Sequence, residues 1–127
     1  MTPAARSPAE PVAPGVRLPR AGSLGAWVLA TRPATLPAAL VPVTIGAAVA
    51  WREGAVRVGP LLGALVGALL LQILSNLAND VFDYQRGADT GARLGPTRAV
   101  QAGLLTSRAV HAGIGVVIGA LLAIGTY

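Results

Sequence analysis

Pro33–Trp51 and Gly59–Asn79 contain no charged side chain. Each run is close to the ~20 residues that a helix needs to cross a hydrocarbon layer about 30 Å thick. A third apolar run, Ala109–Tyr127, carries only His111 near its start. In lipid a spanning segment must satisfy its own backbone polar groups, which leaves helices or a closed barrel. Runs this long and this poor in alternation specify helices. The spacing predicts an all-α, polytopic bundle with spans at about 33–51, 59–80 and 109–127.

Composition agrees. Hydrophobic residues make up 54% of the chain and charged residues 12%, against about a quarter charged in an average soluble domain. Small residues dominate the apolar set, which suits close helix packing in lipid. Gly63 and Gly67, four residues apart, predict such a contact face. Pro37 and Pro42 in the first span predict a kinked helix rather than a broken one. With no Cys, a disulfide framework and a thiolate metal site are both excluded.

Ahead of the spans, residues 1–22 hold Pro3, Pro8, Pro11, Pro14 and Pro19, and read as a disordered tail, not as a cleaved leader. Residues 23–127 then form the membrane domain. Ser23–Thr31 predicts a short interfacial helix with Ser23 as N-cap and Trp27 at headgroup level, broken at Arg32-Pro33.

The net charge of +5 reflects topology more than a partner. Arg6, Arg17, Arg20 and Arg32 precede the first span, and Arg86, Arg93, Arg98 and Arg108 follow the second. Only Arg52 and Arg57 lie in the turn between. This bias places the N-terminus and the polar loop at about 84–108 in the cytoplasm, in a multi-pass protein of the plasma (inner) membrane. No basic patch is interleaved with aromatic residues, so nucleic acid is not an expected partner.

Chemistry concentrates at the end of the second span. Gln72, Asn76, Asn79, Asp80 and Asp83 recur at steps of three or four and share one helix face. A carboxylate in the hydrocarbon is disfavoured by up to ~3 kcal/mol on insertion scales. Two carboxylates three residues apart also repel one another. A hard divalent cation removes both penalties. Magnesium takes one or two carboxylates together with phosphate oxygens, and Asn adds a neutral oxygen. Arg86, Arg93 and Arg98 follow closely, with the fork geometry that binds phosphate. The stretch reads as half of a magnesium–diphosphate site, as against acids that merely mark a helix end and pair with nearby Arg. His111 has no partner at zinc spacing and reads as interfacial. Gly87, Gly91 and Gly95 follow no strand, which argues against a nucleotide loop.

NDVFD at Asn79–Asp83, followed by Asp89, resembles the first Asp-rich motif of the UbiA superfamily of intramembrane aromatic prenyltransferases. The five-residue gap from Tyr84 to Ala88 is similar to the menaquinone branch, the 1,4-dihydroxy-2-naphthoate polyprenyltransferases. TRPATLPAALVPV at 31–43, NLANDVFDYQRGADT at 76–90 and RLGPTRAVQAG at 93–103 agree with that branch. The resemblance implies a bundle of about nine helices, a central cavity, and a second Asp-rich motif on a later helix. It implies Mg²⁺, a polyprenyl diphosphate donor and an aromatic acid acceptor. Carried over by position, Asp80, Asp83 and Asp89 are the expected metal ligands, with Asp80 and Asp83 catalytic. Asn76, Asn79, Arg32, Arg93 and Arg98 are the expected substrate contacts. The second motif is missing, and the third span stops at the chain end. A truncated protein, inactive without its remaining C-terminal helices, is therefore expected. Alternatives are a prenyltransferase with another aromatic acceptor, a CDP-alcohol phosphotransferase (opposed by the spacing of Asp89-Thr-Gly-Ala-Arg93), and a non-enzymatic membrane scaffold.

Overall fold

The computed structural model describes residues 17–87 and 98–127. Among them there are only helices and turns. Helix α1 spans Leu24–Thr31, a 3₁₀ turn Pro33–Thr35, α2 Leu36–Arg52, α3 Val58–Arg86 and α4 Ser107–Gly125. Three helical segments, Leu24–Arg52, Val58–Arg86 and Ser107–Gly125, are long and apolar enough to cross a membrane. Helix α3 is central and packs against α1, α2 and α4.

Local chemistry sets the boundaries. Ser23 caps α1, its hydroxyl accepting from the Ala26 N–H at 3.3 Å. Thr106 does the same for α4, accepting from the Ala109 N–H at 3.1 Å. Between α1 and α2 the chain breaks at Arg32, a non-glycine residue in the left-handed region with φ 51°. Pro33 disfavours the right-handed helical conformation at the residue before it, which favours a break there. Pro42, by contrast, sits inside α2 without ending it. A turn at Gly54, with φ 68°, closes α2 and lets the Ala55 N–H reach Ala50 O at 2.8 Å.

Helix α3 continues to Arg86, beyond the start of the loop expected at residue 84, and ends on Gly87 with φ 58°. Its 29 residues make it about 43 Å long at ~1.5 Å per residue, against a hydrocarbon layer of about 30 Å. Counted from Val58, the last turns carrying Asn79–Arg86 therefore project past the hydrocarbon. The acids can sit on a membrane helix because the helix outruns the apolar layer.

The buried core lies at that same end. It joins Ala26 and Ala30 of α1, Leu77 and Val81 of α3, Ala99, Val100, Leu104 and Leu105 of the turn after residue 97, and Val110 of α4. Burying a side chain such as Leu77 or Val110 away from water contributes about 1.5–3 kcal/mol. Elsewhere the spans keep large apolar side chains uncovered, among them Ile45, Leu62, Val116 and Leu122, as lipid or neighbouring helices require.

Two expectations change. A Cβ built on Gly63 or Gly67 meets nothing within 4 Å, so this pair is not a close helix contact. The tight approach is at Gly113 of α4, where a Cβ would lie 2.7 Å from the Trp27 ring. Trp27 is thus packed between helices rather than only placed at the interface. Gly113→Ala should destabilise the fold by about 1–3 kcal/mol through overpacking. Gly119→Ala, with open space around it, should be neutral. Thermal unfolding in detergent checks the pair.

Candidate functional site

Asp80 and Asp83 project from the last turns of α3 toward the segment that leads into α4. Asp80 is 1% exposed. Its Oδ2 accepts a hydrogen bond from the Val100 N–H at 3.1 Å. Its Oδ1 is buried with no hydrogen-bond partner among the described residues. Asp83, one helical step further, forms an ion pair with Arg98, whose side chain is only 14% exposed. The two acids thus clamp residues 98–100, one through the backbone and one through a guanidinium.

A buried carboxylate with an unpaired oxygen is expensive unless charge offsets it. Arg32 and Arg98 both lie close enough to act electrostatically on Asp80. Arg32 comes from the break between α1 and α2, and one of its terminal guanidinium nitrogens is buried without a partner among the described residues. The chain break at Arg32-Pro33 and the end of α3 therefore bring a cation and an acid into one polar interior.

Asn76 is buried one turn before Asp80, but its amide faces the α1–α2 break. Its Nδ2 donates to Thr31 O and to Thr35 Oγ1, both at 2.8 Å. Asn79 is exposed on the adjacent face. Asp89 and Arg93 lie outside the described residues. The structure thus brings together Asp80, Asp83, Arg98, Arg32 and Asn76. Sequence reasoning missed Thr31, Thr35 and the Val100 N–H. The Thr31 carbonyl and the Val100 amide make their contacts through backbone, which leaves no side-chain signature.

The donor set suits a hard cation. Carboxylate oxygens are what magnesium prefers, and Asp80 Oδ1 has no hydrogen-bond partner among the described residues. Among the described residues no group of three His, Cys, Asp or Glu that could hold a metal ion is assembled. A cleft of about 580 Å³ lined by Arg57, Pro60, Gly63, Gly67, Leu121 and Tyr127 lies toward the start of α3. At ~1.5 Å per residue, Gly63 is about 26 Å along the helix from Asp80, so this cleft is no part of the acidic site.

Fold and site define a membrane-embedded helical protein with two acids packed at the end of its central span. The UbiA prenyltransferase family matches residues 39–127, and the chain belongs to that family. It is 46% identical over 85 residues to the 1,4-dihydroxy-2-naphthoate octaprenyltransferase of Escherichia coli, a match covering 65% of this chain and 27% of that protein. It is 46% identical over 89 residues to the protein of the same name from Mycobacterium tuberculosis, covering 69% of this chain and 30% of the relative. A UbiA prenyltransferase domain-containing protein 1 from Gallus gallus is 42% identical over 65 residues, covering 50% and 20%. The chain thus spans less than a third of the length of these relatives. No solved structure matches it.

Asp80→Ala should leave the Val100 N–H buried and unpaired, at about 1–3 kcal/mol. Protection of the Val100 amide from hydrogen exchange should then fall by about tenfold or more, whereas Asp80→Asn, which keeps an acceptor oxygen, should retain most of it.

Proposed function

We propose that the protein transfers a polyprenyl group from a polyprenyl diphosphate to an aromatic acid, 1,4-dihydroxy-2-naphthoate, as the step of menaquinone biosynthesis that joins ring and tail. One observation carries the proposal: a buried carboxylate oxygen on Asp80 without a partner among the described residues, beside Asp83, Arg32 and Arg98 at the end of the central membrane helix. The names of the Escherichia coli and Mycobacterium tuberculosis relatives support the choice of acceptor. Because the chain spans under a third of their length, we assign it one wall of the reaction cavity. Further helices of a longer chain supply the opposite wall with a second acidic helix end. The end of α3 faces the cytoplasm and the bundle lies in the plasma membrane.

Asp80 and Asp83 are the residues that would hold magnesium, with Asp89 as a further oxygen donor. Bound there, the ion supplies Lewis-acid stabilisation of the departing diphosphate. Arg32, Arg93 and Arg98 bind diphosphate oxygens, and their positive charge favours the leaving group as it becomes more negative. Arg98 reaches the diphosphate by exchanging its ion pair with Asp83 for phosphate oxygens. The apolar flanks of α2 and α3 seat the prenyl chain and exclude water from the allylic carbon. The electron-rich ring supplies the pair for the new carbon–carbon bond, the allylic carbon–oxygen bond breaks, and the ring then loses its carboxylate as carbon dioxide. No covalent enzyme nucleophile is involved in this route.

Asp80→Asn and Asp83→Asn, each made in a protein of the relatives' length that carries this chain, should lower kcat by about 100-fold or more. The assay is prenylation of 1,4-dihydroxy-2-naphthoate by farnesyl diphosphate with magnesium present. Retained turnover in both variants would favour a scaffold role for the acids.

A further inference from the structure

The break between α1 and α2 needs explaining, because Arg32 occupies a left-handed backbone conformation that disfavours any residue other than Gly, by about 1–2 kcal/mol. Pro33 disfavours a right-handed helical Arg32 but does not by itself choose the left-handed alternative over an extended one. The choice is made by hydrogen bonds. The Arg32 N–H donates to Leu29 O at 3.1 Å, the bond that Pro33, without an N–H, cannot make. Thr35 donates twice to Arg32 O, through its N–H and its hydroxyl, both at 2.9 Å.

That arrangement has a consequence one residue back. In a continuous helix the Thr35 N–H would serve Thr31 O, and here it serves Arg32 O instead. Thr31 O is left without its helical donor, and an unpaired buried carbonyl is disfavoured. Asn76, 45 residues away on α3, supplies the missing donor, and the same Nδ2 also donates to Thr35 Oγ1. Both donors of one amide are thus used to brace the two sides of the break. The geometry points to Asn76 as a positioning residue: by holding Thr31 and Thr35 it fixes the turn that keeps the Arg32 guanidinium inside the bundle, next to Asp80. The guanidinium nitrogen of Arg32 that is buried without a partner among the described residues is the sign that the group is held there.

This departs from the substrate contact expected of Asn76 and rests on the prenyl-transfer proposal only for its consequence in turnover. Two measurements separate the parts. The chain has no Cys, so Arg32→Cys provides a single thiol whose labelling by a membrane-impermeant maleimide can be followed in lipid nanodiscs. Thr35→Ala and Asn76→Ala should each speed that labelling by about tenfold, the scale of a lost buried hydrogen bond. Thr35→Ser, which keeps the hydroxyl, should restore the slow rate. Unchanged labelling in Thr35→Ala overturns the positioning role, and Thr35→Ala decides the point even if Asn76→Ala fails to fold.

The second measurement uses a protein of the relatives' length. Asn76→Ala should raise KM for farnesyl diphosphate about tenfold while leaving kcat less affected. In an Arg32→Ala background the same change should add nothing further, as two residues acting through one contact require. Full additivity would make Asn76 a direct substrate contact and overturn the proposal. If the unmodified protein shows no turnover, prenyl transfer falls as a function, and the labelling rates still decide what Asn76 does.

Discussion

A carboxylate enclosed at the end of a membrane-spanning helix is the constraint around which this chain is arranged. Asp80 is almost completely buried, one of its oxygens is taken by a backbone N–H, and the other has no partner among the described residues. Such a group is tolerable only where positive charge is near and where the helix has already left the hydrocarbon. Both conditions are met. Helix α3 exceeds a ~30 Å apolar layer by about two turns, and Arg32 and Arg98 converge on its end from different parts of the chain. The buried core lies at that same end, so the packing that stabilises the bundle also fixes the acids. Stability and site are thus built from the same few turns.

The rest of the bundle is comparatively open. Helices α2 and α4 keep apolar side chains uncovered along their length, and no close glycine contact joins α3 to α4 near Gly63 and Gly67. Between lipid and helix there is no hydrophobic gain to be had from burying these faces, so their association depends on shape and on polar groups. In this chain those polar groups sit at one end: the Asn76 brace, the Asp80 bond to Val100, and the Asp83–Arg98 pair.

Much of this was legible from the residues. Charge-free runs of bilayer length gave the all-helical class and the three spans, and Arg32-Pro33 marked the break because the residue before proline resists the helical conformation. Ser23 announced its helix start through its side-chain oxygen. The shared face of Asn76, Asp80 and Asp83 followed from helical spacing alone. What stayed hidden depends on distance in sequence. Nothing local pairs Asn76 with Thr31 and Thr35, and a backbone donor such as the Val100 N–H has no residue type to betray it. The Gly63–Gly67 spacing permitted a close contact without requiring one, while Gly113 meets Trp27 because the fold brings α1 over α4.

The claim tested most directly is that Asp80 is enclosed in order to hold a divalent cation together with a diphosphate. Electron paramagnetic resonance of Mn²⁺, used in place of magnesium with inorganic pyrophosphate, reads that binding without turnover. In a protein of the relatives' length the unmodified site should bind the ion with pyrophosphate, and Asp80→Asn should weaken that binding by at least about tenfold. Equal Mn²⁺ binding in the two proteins would contradict the account and leave Asp80 as a clamp for the Val100 backbone.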